Sequence, residues 1–185
     1  MEIERSEISG AWVIKFPVFA DDRGIFREWF KRDEIKSETG IDFEVRQANQ
    51  STSRLGVVRG IHYSLADNPQ HKLVTCTSGR IVDFVVDIRP NSKTFRKSIS
   101  VELMPTNGTA VLIEHGLGHA FISLEEGSTI SYLLTSNYSP NEEYAINPLD
   151  KELGIDWRDT NLTISDKDKL AFSIDEMLQI GKLPE

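Results

Sequence analysis

Two short segments of the chain place titratable side chains beside glycine, a combination suited to moving protons on carbon. The first segment is VRGIHY, which holds His62 and is followed by Lys72, and the second is GLGHAF, which holds His119 and is followed by Tyr132. Glycine lets the backbone of a strand approach a ligand closely. A base, a cation and a second proton carrier on neighbouring strands are the groups that acid–base catalysis needs, and they require no cofactor.

The elements that must position these residues are short strands. Alternation is clearest over residues 81–88, where Val82, Phe84, Val86 and Ile88 share one apolar face. Strands separated by turn residues at this spacing favour an all-β sandwich, barrel or jelly roll. The other predicted strands cover 10–19, 25–30, 43–53, 57–63, 72–77, 98–104, 110–114, 119–124 and 129–135. Short helices are predicted at 31–39, closed by Gly40, and mainly towards the C-terminus, at 165–169 and at 173–180, where Ser173 and Glu176 suit a capping box.

The composition is that of one globular domain spanning residues 1–185, since 39% of the residues are hydrophobic and the length suffices for a single core. A net charge of −8 without a basic run argues against nucleic acid as a partner. The apolar runs are too short to cross a membrane, and residues 1–10 lack the apolar core of a secretory signal. The single cysteine, Cys76, cannot form an internal disulfide, so we expect a cytoplasmic protein.

The direction of two side chains is left open by the pattern. Strict alternation over 57–63 puts Arg59 and His62 on opposite faces of the sheet. A β-bulge at the intervening Gly60 would instead turn both side chains inward. The alternative to a catalytic His62 is an ordinary strand histidine with a structural hydrogen bond.

Lys72 and Tyr132 both alternate with apolar residues, which predicts that they face inward. An inward-facing lysine needs a partner, and Asp83 on the next strand is the candidate. For Tyr132 the alternative to a catalytic role is a half-buried core tyrosine whose hydroxyl binds any acceptor.

These segments, together with others along most of the chain, resemble the dTDP-4-dehydrorhamnose 3,5-epimerases of the cupin superfamily. The matching motifs are DRGxFxE at 22–28, QxNxS at 47–51, RGxHY at 59–63, KLV at 72–74, GxIxD at 79–83, VDIR at 86–89, GHAF at 118–121, YSP at 138–140, GIDW at 154–157 and SxKD at 165–168, with Tyr132, Thr135 and Glu143. The resemblance implies a cupin-type jelly roll that acts on dTDP-4-keto-6-deoxyglucose as a homodimer and needs no cofactor.

The resemblance also implies roles for individual residues. His62 corresponds to the general base and Asp168 to the carboxylate that holds its imidazole. Tyr132 corresponds to the acid on the opposite face of the sugar, and Lys72 to the cation that stabilises the enolate oxygen. Tyr138 matches the residue that stacks on thymine. The other positions that match ligand-binding residues are Arg23, Phe26, Glu28, Gln47, Asn49, Arg59, His119, Glu143 and Lys167, and the segment with Arg23 and Phe26 crosses a dimer interface in the family.

A metal site is the main rival interpretation of the histidines. A metal-binding cupin usually offers a His-x-His step, and this chain has no such pair, with Ser64 standing two residues after His62. The ligand inventory therefore favours a site without metal.

Four departures from the family pattern leave the reaction open in one respect. Ser64, His71, Ala120 and Leu134 stand where the family usually has Gln, Gly, Gly and a small or polar residue. Because these positions surround the sugar or its entrance in the family, the alternative is a single-site epimerase, at C3 or C5, of an antibiotic or surface deoxysugar pathway. Two more distant alternatives are a dTDP-sugar 3,4-ketoisomerase and a non-catalytic sugar-binding cupin.

Overall fold

Two facing β-sheets make up most of the molecule, and the all-β prediction is confirmed. The computed structural model describes residues 1–158 and 161–185. The described strands are β1 (Glu2–Arg5), β2 (Ala11–Lys15), β3 (Val18–Asp21), β4 (Gly24–Arg27), β5 (Gln47–Ser53), β6 (Val57–Ser64), β7 (Lys72–Ser78), β8 (Ile81–Asp87), β9 (Ser98–Leu103), β10 (Thr109–Ile113), β11 (Leu117–Ser123), β12 (Ser128–Leu134), β13 (Glu143–Ala145) and β14 (Thr163–Ile164). The helices are α1 (Arg32–Thr39), α2 (Asp166–Lys169) and α3 (Ile174–Gln179), with a 3₁₀ turn at Pro105–Asn107.

The strand order sets which catalytic candidates face each other. The first sheet has the antiparallel order β1-β2-β10-β7-β12-β5. The second has the order β13-β6-β11-β8-β9, with β14 added parallel to β6, and β3 and β4 form a separate hairpin. Strand β6, with His62, therefore belongs to one sheet, whereas the neighbouring strands β7 and β12, with Lys72 and Tyr132, belong to the other.

Apolar side chains from both sheets fill the space between them. Val74 and Val111 of the first sheet pack in one cluster with Val85 and Phe121 of the second. The outer face of the second sheet is covered by the C-terminal segment, including Trp157, and the outer face of the first by α1 and the loop after it. Each sheet is thus buried on two faces over much of its area, which fixes the register of its strands.

The alternation predicted for residues 81–88 is confirmed and explained by this layering. Val82, Phe84 and Val86 of β8 pack together beneath the C-terminal segment. The opposite face of β8 is buried as well, and it carries the carboxylates of Asp83 and Asp87. Both carboxylates accept hydrogen bonds there, as buried charges require.

The three predicted helices are present, and their ends follow from local capping. Helix α1 ends at Thr39 and is capped by Gly40, which lies in the left-handed region with φ of 81°. Ser173 Oγ accepts the N–H of Glu176, and the Glu176 carboxylate accepts the N–H of Ser173, so the predicted capping box is confirmed. No helix in the described parts of the chain is long and apolar enough to span a membrane.

Three strand predictions extend too far. The segment predicted as one strand over 10–19 is divided between β2 and β3 around Pro17, which has no N–H to donate to a neighbouring strand. The strand predicted over 25–30 ends at Arg27, and the one over 43–53 begins at Gln47. Phe30 and Phe43 instead pack against each other on the outer face of the first sheet, where the chain covers the core rather than pairing.

Candidate active site

A β-bulge in β6 turns Arg59 and His62 towards the same cleft. His62 pairs with His119 and Arg59 pairs with Phe121, so a register shift separates the two pairs. Gly60 lies within the shift with φ of +127°, and a Cβ there would lie 2.3 Å from the nearest atom of β11. Of the two arrangements left open by the pattern, the structure has the one in which both side chains line one cavity.

The cleft consists of two adjoining cavities, each with a volume of about 210 Å³. His62, Lys72 and Tyr132 line both cavities and so mark their junction. The first cavity is also lined by Asn49, Gln70, Leu134, Tyr138, Glu143, Tyr144 and Lys167. The second cavity is also lined by Ser51, Arg59, His119, Phe121 and Ile130.

His62 and Asp168 form a bonded pair at the edge of the cleft, with Nε2 and Oδ1 separated by 2.8 Å. Asp168 is 4% exposed and lies in α2, where Ser165 Oγ accepts its N–H. Burial by itself raises the pKa of the Asp168 carboxyl, but the hydrogen bond and charge of His62, with the bond from Ser165, outweigh it and lower the pKa. An ionised Asp168 fixes the orientation of the imidazole, and Nδ1 of the neutral ring then keeps its lone pair.

Lys72 is almost fully buried beside this pair. It is 8% exposed, and its Nζ lies 3.4 Å from the carbonyl oxygen of His62. Asp83, the predicted partner, acts on Lys72 through its charge but not through a direct bond, since Asp83 Oδ2 lies 2.7 Å from Nε2 of His119 on the paired strand. Burial lowers the pKa of Lys72, while the charges of Glu143 and Asp83 act against that lowering and favour the ammonium form.

Tyr132 lines the same two cavities as His62, from the opposite sheet. Its strand, β12, pairs with β7 on one side and β5 on the other, and Tyr132 lies opposite Val74, two residues from Lys72 along β7. A sugar ring held between the sheets would therefore have the imidazole on one face and the phenol on the other. Base and acid on opposite faces are what inversion at carbon requires.

Polar side chains at the rim hold one another in place. Gln47 Nε2 donates to Asn49 Oδ1 at 2.8 Å, and Gln47 Oε1 accepts the N–H of Tyr138, also at 2.8 Å. Gln47 thus fixes two residues that line the cleft. Glu143 Oε1 accepts a hydrogen bond from Gln70 Nε2 at 2.9 Å.

Three predicted site residues lie away from the cleft of their own chain. Arg23 and Phe26 line a separate cavity of about 480 Å³ on the β3–β4 hairpin. The Arg23 side chain is 90% exposed and pairs with Asp21, and Phe26 is 64% exposed. Glu28 pairs with Lys31 at 3.0 Å.

Gln70 and Tyr144 line the cleft but were not among the predicted residues. Gln70 lies two residues before Lys72, so alternation along an extended chain would point both side chains to the same face. This spacing could have identified Gln70 as a site residue. Tyr144 stacks on Tyr63 with ring centroids 5.8 Å apart and belongs to the three-residue strand β13, which is too short to be recognised by alternation.

The two histidines of the cleft each bind a carboxylate, His62 to Asp168 and His119 to Asp83. Within residues 1–158 and 161–185, no group of three His, Cys, Asp or Glu side chains lies close enough together to hold a metal ion. The cleft thus holds two histidine–carboxylate pairs, and the buried Lys72 lines the same cavities.

Comparison with known proteins identifies the family. The family model described as dTDP-4-dehydrorhamnose 3,5-epimerase matches residues 5–176. The chain belongs to this family. A dTDP-4-dehydrorhamnose 3,5-epimerase from Streptomyces griseus is 40% identical over 179 residues, which cover 96% of this chain and 89% of the relative.

Solved structures of epimerases share the fold closely. The rmlC epimerase of Mycobacterium tuberculosis has a TM-score of 0.96 and 36% identity, covering 100% of this chain and 94% of that one. ChmJ, a 3′-monoepimerase from Streptomyces bikiniensis in complex with dTDP-quinovose, has a TM-score of 0.93 and 38% identity, covering 97% and 91%. The predicted cupin-type fold and the isomerase class are thereby confirmed for this epimerase family member.

Proposed function

We propose that the protein inverts dTDP-4-keto-6-deoxy-D-glucose at C3 and at C5, by removing a proton from each carbon and returning one to the opposite face. The observation that carries this proposal is that His62 and Tyr132 line one cleft from facing sheets. One imidazole serves a single face of the sugar, so inversion needs a second proton carrier on the other face.

His62 acts as the general base in this mechanism. The C4 ketone acidifies the protons on C3 and C5, and neutral His62 removes one of them, leaving the electron pair in an enolate. Asp168, 2.8 Å from Nε2, stabilises the imidazolium that forms. The imidazolium releases its proton to solvent before the next cycle, through a side chain that is 41% exposed.

Lys72 stabilises the enolate in this mechanism. Its ammonium group is buried at the junction of the two cavities, where a donor is worth more than in water. The neighbouring charges of Glu143 and Asp83 favour the protonated form that such a donor needs.

Tyr132 completes the inversion by giving its phenolic proton to the carbon from the face opposite His62. The phenolate is then reprotonated from solvent, so each inversion removes one substrate proton and adds one solvent proton. No redox change or group transfer is involved, and the proposal therefore includes no cofactor.

The nucleotide part of the ligand binds along the rim. Arg59 and Lys167 supply the cations that suit a diphosphate, since guanidinium and ammonium groups both bind phosphate oxygens. Tyr138 is 57% exposed, which leaves its ring free to stack on thymine. Gln47 and Asn49 supply amide groups at the same rim.

We further propose a homodimer, in which the β3–β4 hairpin of each chain carries Arg23 and Phe26 to the cleft of the other. The support is the exposure of three apolar side chains on this short hairpin: Phe19 at 57%, Ile25 at 45% and Phe26 at 64%. A monomeric mass in light scattering would overturn this part.

The same proposal includes a single domain over residues 1–185 and a cytoplasmic location without nucleic-acid or membrane partners, supported by the acidic composition and the single cysteine.

The experiment that tests the activity is proton NMR of dTDP-4-keto-6-deoxy-D-glucose with the protein in D₂O. We expect loss of the C3 and C5 proton signals, together with signals of inverted product. Exchange at one carbon only would show that the protein is a single-site epimerase, and migration of the ketone would indicate a ketoisomerase. Retention of both protons would identify a sugar-binding protein without catalysis.

A further inference from the structure

Two histidines outside the cleft clamp the segment that carries Gln70 and Lys72. The N–H of Gln70 donates to Nδ1 of His115 at 3.3 Å, and the N–H of His115 donates to Nδ1 of His71 at 3.2 Å. A backbone N–H is only a donor, so each Nδ1 must offer a lone pair and each ring must be neutral with its proton on Nε2. Each ring therefore accepts a hydrogen bond from a backbone N–H, His115 from that of Gln70 and His71 from that of His115.

The other side of the same segment is held by Thr135. Its Oγ1 accepts the N–H of His71 at 2.8 Å and donates to the carbonyl of Pro69 at 2.8 Å, while its N–H donates to the carbonyl of His71 at 3.2 Å. Backbone atoms of residues 69–71 are thus bound from two directions. This segment leads directly into β7 at Lys72.

The clamped segment positions two groups of the cleft. Gln70, which is 5% exposed, donates from Nε2 to Glu143 Oε1 at 2.9 Å and to Ser136 Oγ at 3.3 Å. Lys72 follows two residues later, with its ammonium group between the cavities. A shift of residues 69–71 would move the Glu143 carboxylate and the Lys72 ammonium group together.

We propose that His115 and His71 are positioning residues for catalysis, which act by holding Gln70 and Lys72 through the acceptor atoms Nδ1. This inference rests on the proposed function and deepens it, since it adds residues that the substrate does not contact. A displacement of about 1 Å in a catalytic group costs about 100-fold in rate, so loss of one clamp is expected to lower kcat rather than affinity.

The electrostatic surroundings favour the acceptor form of both rings. Burial, with the neighbouring His115, lowers the pKa of His71, and burial, with the charge of Lys72, lowers the pKa of His115. Both lowered pKa values favour the neutral rings that the two acceptor hydrogen bonds require.

Matched substitutions separate positioning from packing. The side-chain oxygen of asparagine corresponds in position to Nδ1 of histidine, so His115→Asn keeps the acceptor, whereas His115→Leu keeps the bulk and loses it. We expect His115→Asn to retain kcat within about 3-fold and His115→Leu to lose about 10- to 100-fold, with KM nearly unchanged. The same contrast is expected for His71→Asn and His71→Leu.

A third substitution keeps the test decisive if the leucine variants fail to fold. His115→Gln is polar, but its amide corresponds to Nε2 rather than Nδ1, so kcat is expected to fall as in His115→Leu. Equal kcat values for the Asn and Gln variants would overturn the proposal. Equal kcat values for folded Asn and Leu variants would overturn it as well.

A measurement without substrate distinguishes failure of this inference from failure of the proposed function. Amide hydrogen exchange at Gln70 should stay slow in wild type and His115→Asn and become at least about 10-fold faster in His115→Leu and His115→Gln, because the N–H loses its acceptor. Equal protection in all four proteins would reject the clamp. An inactive wild type with the expected protection pattern would reject the proposed function alone.

Discussion

Nε2 of His62 lies 2.8 Å from Oδ1 of Asp168, a residue 106 positions further along the chain. The carboxylate is buried in α2 and the imidazole lines the cleft, so the C-terminal segment completes a site built mainly on strands. Of the two cleft histidines that bind a carboxylate, His62 is the stronger candidate base, because its side chain is 41% exposed and that of His119 only 10%.

Replacing His62 with asparagine is expected to abolish deuterium exchange at both carbons and to leave dTDP binding nearly intact. Loss of a general base typically lowers the rate by about 10²- to 10⁴-fold. NMR exchange rates in D₂O and calorimetric titration with dTDP measure the two quantities. Asp168→Asn is the companion variant and should be similar or milder. Near-normal exchange in His62→Asn would show that another group is the base.

The buried ammonium group of Lys72 predicts a split between activity and stability. Lys72→Met should lower kcat by about 10²- to 10³-fold, as expected when a donor to a developing oxyanion is lost. The free energy of unfolding should stay equal or rise, because burying the charge is costly in the native state. Lys167→Met is the control at an exposed lysine of the same cavity and should raise KM with little change in kcat. A kcat near wild type in Lys72→Met would remove the lysine from the mechanism.

Because of the bulge in β6, alanine substitution is expected to destabilise the protein more at Gly60 than at Gly127. Gly60 has φ of +127° and an added Cβ would lie 2.3 Å from Ala120, whereas Gly127 has φ of +75° with nothing within 4 Å. Gly60→Ala should lower the free energy of unfolding by at least about 3 kcal/mol, from backbone strain and overpacking, and Gly127→Ala by about 1 kcal/mol. Urea unfolding of both variants checks this, and equal losses would contradict the bulge.

Asp87 predicts part of the acid sensitivity of the fold. Burial by itself raises the pKa of its carboxyl, but hydrogen bonds from Arg89, Ser92 and Thr94 bring the pKa down to about 2. Because the folded pKa lies below the unfolded value of 3.8, the unfolded chain takes up the proton first, and about 2 kcal/mol of stability is lost as the pH falls from 3.8 to about 2.

The variant Asp87→Asn lacks this titration and provides the control. Its deficit in unfolding free energy against wild type should be largest at pH 7 and shrink at pH 3, since other carboxyl groups titrate alike in both proteins. A deficit of the same size at both pH values would show that the Asp87 carboxylate does not contribute this dependence.

The strands and most of the cleft could be predicted from the sequence because both follow local patterns. Alternation over 81–88 reflects a strand packed between layers, and the Ser173–Glu176 box is a signal contained in four residues. Alternation with apolar neighbours also indicated that Lys72 and Tyr132 face inward, and both line the cleft.

Features that depend on distant parts of the chain could not be predicted. Whether Gly60 carries a bulge depends on its packing against β11, and the partner of Asp83 depends on which sheet His119 joins. The hydrogen bond between His115 and His71 joins residues 44 positions apart, and neither segment has a sequence pattern that predicts it.

In the proposed mechanism, protons leave the sugar through His62 on one face and return through Tyr132 on the other. The most direct test is the ratio of deuterium incorporation to inversion in Tyr132→Phe, measured by NMR in D₂O. We predict a raised ratio, because His62 still removes a proton and returns deuterium to the same face while inverted product falls. The free energy of unfolding should change by less than about 1 kcal/mol, the worth of a typical hydrogen bond, because the described structure shows none from the Tyr132 hydroxyl. An unchanged ratio would contradict this mechanism and reject Tyr132 as the acid.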